Sequence, residues 1–126
     1  FFDEVQLGDG QVLGEIGNGF GPMQNRLGVR RMEIACRALG YARRCMDLMI
    51  PQAKERKTFG APLADRQAVQ WWIADSYREI ELTRLALYKL AWDIDHKPDV
   101  RRDASMVKVQ ATETAAAELL KNGLPC

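Results

Sequence analysis

The stretch ERKTFGAPLADRQAVQWW, residues 55–72, contains the corner between two predicted helices. A basic helical pattern runs up to a Thr-Phe-Gly break, and a second helical pattern follows Pro62. Glycine tolerates the left-handed conformation that ends many helices, and proline shortly afterwards prevents continuation. The pattern therefore predicts that Gly60 caps the first helix and that the second begins between Leu63 and Asp65.

Apolar and small residues recur at three- and four-residue steps on both sides of this corner, which is typical of amphipathic helices. Before the corner they are Ala35, Leu39, Ala42, Met46, Met49 and Ala53. After the corner they are Val69, Trp72, Ile73, Ser76, Ile80, Thr83, Leu87, Leu90 and Ala91. A third helix is expected from Asp99 or Val100, with Ala104, Val107, Ala111, Thr114 and Ala115 on its stripe. Because the links are short, the sequence predicts an all-α, up-down bundle: three long helices of an incomplete four-helix bundle.

Residues 1–21 differ from the rest because they are rich in glycine and alternate apolar with polar residues. This period predicts one or two short strands or an extended arm. A lone hairpin is only marginally stable, so the segment would need a larger neighbour. We expect residues 1–21 to be an extended arm, either the end of something larger or an arm over the helices, and residues 22–126 to be the helical-bundle domain.

Composition argues against several classes of function. Net charge is +1, so no general nucleic-acid footprint is indicated. No apolar run approaches the length of a membrane span, and no signal-peptide pattern is present, so a membrane span and secretion are not expected. Cys36, Cys45 and Cys126 lack metal-ligand spacing, and the one histidine, His96, lies in a polar link. We predict no metal site and no Ser-His-Asp set.

The corner carries groups suited to a phosphate-bearing ligand. Arg56 supplies a planar fork of donors and Thr58 a hydroxyl. Gln67 lies in the first turn of the next helix, whose free amides favour an anion. Phe59 adds a flat apolar face. The alternative is a capped turn in which Phe59 is a hydrophobic plug, and the arginines between residues 26 and 44 fit a solvated helix face.

The segment QAKERKTFGAPLADRQAVQWWIAD (52–75) resembles the helix-turn-helix of the flavin-dependent acyl-CoA dehydrogenases. That family has Arg-Lys-(Thr/Gln)-Phe-Gly followed by a glutamine seven residues after the glycine. VLGEIGNGFGPMQNRLGVRRMEIACRALGYARRCMD (12–47) resembles the family's entry into its C-terminal helical domain, and ASMVKVQATETAA (104–116) resembles its third helix. The resemblance implies that residues 1–21 are the end of a missing β domain, and that the bundle of residues 22–126 forms a homodimer or homotetramer. It also implies that Arg56, Thr58, Phe59 and Gln67 contact FAD bound by the partner subunit.

The resemblance also places Leu27, Arg30 and Arg31 near the acyl-CoA thioester in their own subunit. The family's catalytic base is a carboxylate on a later loop or, in some members, at the position of Arg30. A guanidinium cannot accept a proton at neutral pH, so we assign no catalytic residue, and Glu33 is not given this role.

The sequence thus looks like a truncated part of an FAD-dependent acyl-CoA dehydrogenase of fatty acid metabolism, inactive alone. The compartment would be mitochondrial or peroxisomal in a eukaryote and cytoplasmic in a bacterium. The alternative is a non-catalytic helical oligomerisation or interaction module.

Overall fold

The computed structural model describes residues 1–121, except for the side chain of Asn25. Three long helices dominate this part of the chain: α1 (Phe20–Glu55), α2 (Gln67–His96) and α3 (Arg101–Lys121). A small hairpin, β1 (Lys57–Thr58) and β2 (Ala61–Pro62), and a 3₁₀ turn at Leu63–Asp65 connect α1 to α2. The predicted all-α class is confirmed. Cys126 lies outside the described residues.

The helices run antiparallel to their chain neighbours. Val29 near the start of α1 and Ile94 near the end of α2 border the same cavity. Thr83 of α2 contacts Thr114 of α3 through their hydroxyls at 3.4 Å, and Lys121 at the end of α3 reaches back to the first half of α2. This is the up-down order expected from links of only a few residues.

Small side chains bring α1 and α3 together in the most extensive contact of the bundle. Ala35 and Ala42 of α1 and Ala104 and Ala111 of α3 have no exposed surface. Alanine allows two helix backbones to approach closely, so dispersion contacts are dense there. The larger core residues, Met46, Met49, Ile80, Leu87, Leu90 and Val107, fill the space between this pair and α2.

Residues 1–19 are an extended, exposed arm that contains one 3₁₀ turn, Asp9–Gln11. No β-strand forms in this described segment. This agrees with the predicted extended arm and not with the short strands that were the alternative. A strand needs a partner for its backbone groups, and none lies beside the arm in the described residues. The division at residue 21 stays a prediction, although α1 starts at Phe20 and contains Pro22 in its first turn. None of the described helices is long and apolar enough to cross a membrane.

Candidate functional site

The corner between α1 and α2 is a tight β-hairpin rather than a helix cap at Gly60. Helix α1 ends earlier, at Glu55, where the Arg56 amide donates to the Gln52 carbonyl at 2.9 Å. Phe59 and Gly60 then form the two-residue turn, with φ of +51° and +80°. Positive φ at both central positions is the type I′ pattern, which matches the twist of paired strands. The prediction of Gly60 as a cap was wrong because backbone pairing across the turn begins immediately after α1.

Phe59 is 98% exposed, so the alternative in which it plugs the core is also wrong. Its ring is accompanied by Arg66, whose guanidinium carbon lies 5.9 Å from the ring centroid. Arg66 Nη2 also donates to the Thr58 carbonyl at 2.7 Å. One arginine therefore ties the hairpin to the start of α2. The sequence analysis assigned no role to Arg66, because nothing in its spacing shows that it folds back across the hairpin.

The four predicted cofactor residues share the corner but do not surround one cavity. Thr58 is half-buried, while Arg56, Phe59 and Gln67 are exposed, and Gln67 is the first residue of α2. Arg56 borders a cavity of about 210 Å³ whose other walls include Met49, Leu63, Trp72 and Lys121. Thr58, Phe59 and Gln67 are not part of its lining. The four therefore form an open surface, and their role in binding FAD stays a prediction.

The chemistry of this surface suits a diphosphate. Arg56, Lys57 and Arg66 carry positive charge at the hairpin, against the carboxylate of Asp65. Arg66 makes no side-chain cap at the start of α2, and the Val69 amide donates to the Arg66 carbonyl at 2.9 Å, so the amides of Gln67 and Ala68 are the ones that could meet an anion. Among residues 1–121 no group of His, Cys, Asp and Glu could hold a metal ion.

The predicted substrate residues lie in the first half of α1. Leu27 and Arg31 are half-buried, and Arg30 is exposed. Arg30 Nη1 donates to Glu33 Oε2 at 2.6 Å, and this hydrogen bond holds the pKa of Glu33 below its ordinary value. Arg26 adds a second ion pair at 3.5 Å. Glu33 is therefore stabilised as a carboxylate ion paired with two arginines, and its lack of a catalytic role stays a prediction.

A cavity of about 620 Å³ opens beside these residues, between the start of α1 and the turn that joins α2 to α3. Its lining comprises Asn18, Phe20, Gly21, Gln24, Gly28 and Val29 on one side, and Ile94, Lys97, Pro98, Asp99, Val100 and Arg101 on the other. Leu27, Arg30 and Arg31 are close in sequence to residues that line this cavity but are not in its lining. Their contact with substrate therefore stays a prediction. Asp99 at the rim has its pKa lowered to about 2 by hydrogen bonds from Arg101.

Two buried carboxylates were missed by the sequence analysis. Asp93 is 1% exposed and receives hydrogen bonds from Lys89 and, at 2.9 Å, from Lys97. These bonds lower its pKa below the ordinary value. The available signal was its position three residues after Leu90, at the spacing of the buried stripe.

Glu118 is the second, near the end of α3. It accepts from Lys121 Nζ at 2.9 Å, and the same ammonium donates to the Ser76 hydroxyl at 3.0 Å. Burial, aided by the charge of Glu118, raises the pKa of the nearby Cys45 thiol. This cluster joins the end of α3 to α2 and closes that end of the bundle.

Comparisons with known proteins give a consistent result. Residues 17–118 match the model of the acyl-CoA dehydrogenase C-terminal domain. The chain is 54% identical over 115 residues to (R)-benzylsuccinyl-CoA dehydrogenase of Thauera aromatica, covering 90% of this chain and 28% of that protein. It is 35% identical to the mitochondrial short-chain specific acyl-CoA dehydrogenase of Bos taurus, covering 92% and 28%.

A solved structure shows the same arrangement of helices. Butyryl-CoA dehydrogenase from Megasphaera elsdenii superposes with a TM-score of 0.86 at 29% identity, covering 96% of this chain and 32% of that one. The chain therefore spans somewhat under a third of the length of the relatives that it matches.

Proposed function

The chain belongs to the acyl-CoA dehydrogenase family, and on this premise we propose that it forms the C-terminal helical part of an FAD-dependent dehydrogenase of acyl-CoA thioesters. The names of the Thauera and Bos relatives each state a dehydrogenase of a CoA thioester. FAD would accept a hydride from the β-carbon of the substrate. The residues of this chain would bind, orient and shield the cofactor and the substrate. No residue of this chain is assigned as the base.

The observation that carries the proposal is the exposed corner. Phe59 is held at positive φ and contributes no burial to its own chain, although a phenylalanine in that conformation is strained. Arg56, Thr58 and Gln67 lie around it with polar groups suited to a pyrophosphate. The backbone strain at Phe59 is not offset by packing of the ring within the chain. It is explained if the ring packs against a cofactor from outside the chain.

The distance between the two predicted sites supports an assembly of at least two copies. Arg31 and Arg56 are 25 residues apart on one helix and its end, and at 1.5 Å per residue they are separated by about 37 Å. Flavin and thioester must be in contact for hydride transfer. We therefore assign the substrate residues Leu27, Arg30 and Arg31 to one copy and the corner to its partner.

The chain alone is proposed to be inactive. Proton abstraction next to the thioester carbonyl requires a positioned base, and Arg30 is a guanidinium engaged by Glu33. Mixing the purified chain with FAD, acyl-CoA thioesters and a redox dye should give no dye reduction. Turnover would contradict this part of the proposal. For the longer protein, benzylsuccinyl-CoA and butyryl-CoA are the first substrates to compare.

The decisive experiment measures flavin uptake by the purified chain. We expect FAD to be retained after gel filtration, and we expect Arg56→Ala and Gln67→Ala each to weaken retention about tenfold or more, because each removes a polar contact to the cofactor. Arg44→Ala, an exposed arginine elsewhere on α1, is the matched control and should retain FAD normally. Equal retention by Arg56→Ala and Arg44→Ala would exclude the corner as the binding surface.

A second candidate function is a non-catalytic helical interaction module. It is favoured by the large apolar side chains that α2 exposes, namely Trp71, Leu82, Leu85, Tyr88 and Trp92. A stable dimer that takes up no FAD would support this function instead.

The compartment depends on the source of the protein. We expect mitochondria or peroxisomes if the source is a eukaryote, and the cytoplasm if it is a bacterium. The relatives named above include one bacterial and one mitochondrial enzyme.

A further inference from the structure

Arg66 lies at the junction between the hairpin and α2. It is the last residue before α2, and its carbonyl accepts from the amides of Val69 at 2.9 Å and Gln70 at 3.1 Å. These two bonds close the first turn of the helix and fix the backbone of Arg66. The side chain makes no cap bond to the helix and extends back to the hairpin instead.

The hairpin that Arg66 reaches has little pairing of its own. Its ladder consists of two residue pairs, Lys57 with Pro62 and Thr58 with Ala61. Proline has no backbone N–H, so Pro62 cannot donate to this ladder. A lone two-stranded hairpin is marginal in water even when it is longer than this one. The shape of the turn therefore depends on contacts from outside the two strands.

The Arg66 guanidinium supplies two such contacts at once. Its Nη2 donates to the carbonyl of Thr58, eight residues earlier, at 2.7 Å. Its central carbon lies over the Phe59 ring, 5.9 Å from the ring centroid, within the range of a cation–π contact. Arginine suits both tasks because its planar group can donate along its edge while its face covers an aromatic ring.

These contacts orient the Phe59 ring although they do not bury it. The ring is 98% exposed, and the guanidinium lies over one face, so the opposite face is open to a planar group from outside the chain. A side chain that is held before binding loses less conformational entropy when a ligand arrives. Arg66 thus prepares the ring for a ligand without adding to the core of the chain.

We propose that Arg66 is the positioning residue of the corner: it fixes the hairpin to α2 and keeps one face of the Phe59 ring available to a planar ring of the cofactor. This inference deepens the proposed function, and for the flavin it rests on that proposal. Arg66 acts through Phe59 and not by contact with the cofactor. Its effect on flavin affinity should therefore largely disappear when the Phe59 ring is removed.

The competing explanation is that Arg66 attracts the cofactor by its charge alone. A cation that binds phosphate needs neither a planar shape nor a fixed place over a ring. The Arg66 guanidinium has both a carbonyl and a ring as partners within its own chain, which favours an organising role. The two explanations differ in what they expect of lysine at this position.

Hydrogen exchange tests the anchoring without any cofactor. The Leu63 amide donates to the Arg56 carbonyl at 2.8 Å and closes the base of the hairpin, so its exchange rate reports local opening. Arg66→Gln should raise this rate about fivefold or more, because the hairpin loses its bond to α2.

Arg84→Gln is the matched control for this measurement. Arg84 is also exposed, bonds a carboxylate and lies over an aromatic ring, but all its partners are within α2. It should leave the exchange of the Leu63 amide unchanged. Equal exchange rates in Arg66→Gln and Arg84→Gln would overturn the anchoring.

A double-mutant cycle tests whether Arg66 acts through Phe59. Arg66→Gln should raise the dissociation constant of FAD about fivefold or more in the unchanged chain, and by less than about twofold in a Phe59→Leu background. An equal effect in both backgrounds would show that Arg66 acts on the cofactor directly, and the positioning role would be wrong.

Arg66→Lys separates positioning from charge. A lysine ammonium keeps the positive charge, but it cannot donate along an edge and cover a ring as a planar group does. We expect Arg66→Lys to weaken FAD binding about as much as Arg66→Gln does. Recovery of the original dissociation constant by Arg66→Lys would show that charge alone is sufficient, and this would also refute the positioning role.

The two kinds of measurement separate this inference from the proposed function. If the unchanged chain retains no FAD, the flavin role of the corner fails, whereas faster Leu63 exchange in Arg66→Gln than in Arg84→Gln still establishes the anchoring. If FAD retention depends on Arg56 but Arg66→Gln behaves like Arg84→Gln in both measurements, the flavin role of the corner stands and the positioning role of Arg66 fails.

Discussion

The contact between α1 and α3 and the corner before α2 are stabilised in opposite ways. In the first, alanines such as Ala42 and Ala111 are completely buried, and each side chain is in contact with its neighbours. In the second, Phe59 is 98% exposed, and its backbone adopts a conformation that a large residue rarely takes. The helix contact is explained by the chain's own stability. The corner is not, and this difference is what points to a ligand or a partner.

Local contacts are nevertheless sufficient to define the shape of the corner. The hairpin pairs Thr58 with Ala61, and the Leu63 amide donates to the Arg56 carbonyl at 2.8 Å. Arg66 adds its hydrogen bond and its contact with the Phe59 ring. The side chains are thus presented by a preorganised backbone, which lowers the entropy cost of binding.

The largest effect on stability is expected in the contact between α1 and α3. Ala111→Leu adds three carbon atoms where the α1 and α3 backbones approach, so we expect the free energy of unfolding to fall by about 2–3 kcal/mol. Urea unfolding followed by circular dichroism measures this. Ala116→Leu, an exposed position on the same helix, is the control and should change stability by less than about 0.5 kcal/mol. Equal effects at both positions would show that the alanines do not determine the helix spacing.

A second effect is a loss of stability in acid, which we expect to arise at the buried Asp93 near the end of α2. Hydrogen bonds from Lys89 and Lys97 lower the pKa of Asp93, so its ionised form stabilises the fold above the ordinary carboxyl pKa. This contribution should be lost as the pH falls below about 4 and through the lowered pKa. Urea unfolding measured between about pH 5 and pH 2 should therefore show a steep decline in stability.

Asp93→Asn identifies the source of this decline. It should lower stability at neutral pH, because two lysines lose their ionised partner, and it should flatten the dependence on acid. Asp95→Asn, an exposed neighbour in the same helical turn, should keep the full acid dependence. If both variants retain the same slope, the acid sensitivity arises elsewhere in the chain.

The helices could be predicted from the sequence because their signal is repeated many times. Residues such as Ala35, Ile80 and Val107 all fall on stripes that the 3.6-residue period selects, and all are buried. Asp93 shares that spacing, and Lys89 and Lys97 stand four residues before and after it, but it was not predicted because a carboxylate is rarely buried. The arm at residues 1–19 was predicted as extended, and its strands were not formed because strand pairing depends on a neighbour.

The site could be predicted less completely, because its geometry depends on single contacts. The resemblance located Arg56, Thr58, Phe59 and Gln67 on one corner, and they do lie there. It did not predict the hairpin, because a Phe-Gly pair is an unusual choice for a type I′ turn, which favours Asn-Gly. The long-range bond from Arg66 carries no spacing signal at all. Such departures from local preference are expected at functional positions.

Gly60→Ala tests whether the turn itself determines the shape of the corner. At a φ of +80° an alanine is strained, so we expect a loss of about 1 kcal/mol in the free energy of unfolding. A Cβ at Gly60 would meet no atom within 4 Å, so the loss would come from backbone strain rather than a clash. Gly40→Ala, inside α1 with similarly open space, is the control and should instead gain up to about 1 kcal/mol. The same sign in both variants would contradict the left-handed turn.

The smallest stability effect is the most informative about function. Phe59→Asn replaces a strained, exposed ring by a residue that accepts positive φ, so the chain should gain about 0.5 kcal/mol in stability. If the ring is retained in order to contact FAD, the same variant should lose flavin retention although it is more stable. Phe59→Tyr should keep the ring, the strain and the flavin, and serves as the control. A gain in stability with unchanged retention would mean that the exposed ring serves neither the fold nor the cofactor. Opposite changes in the two measurements would tie the strain in this turn to the binding of a group from outside the chain.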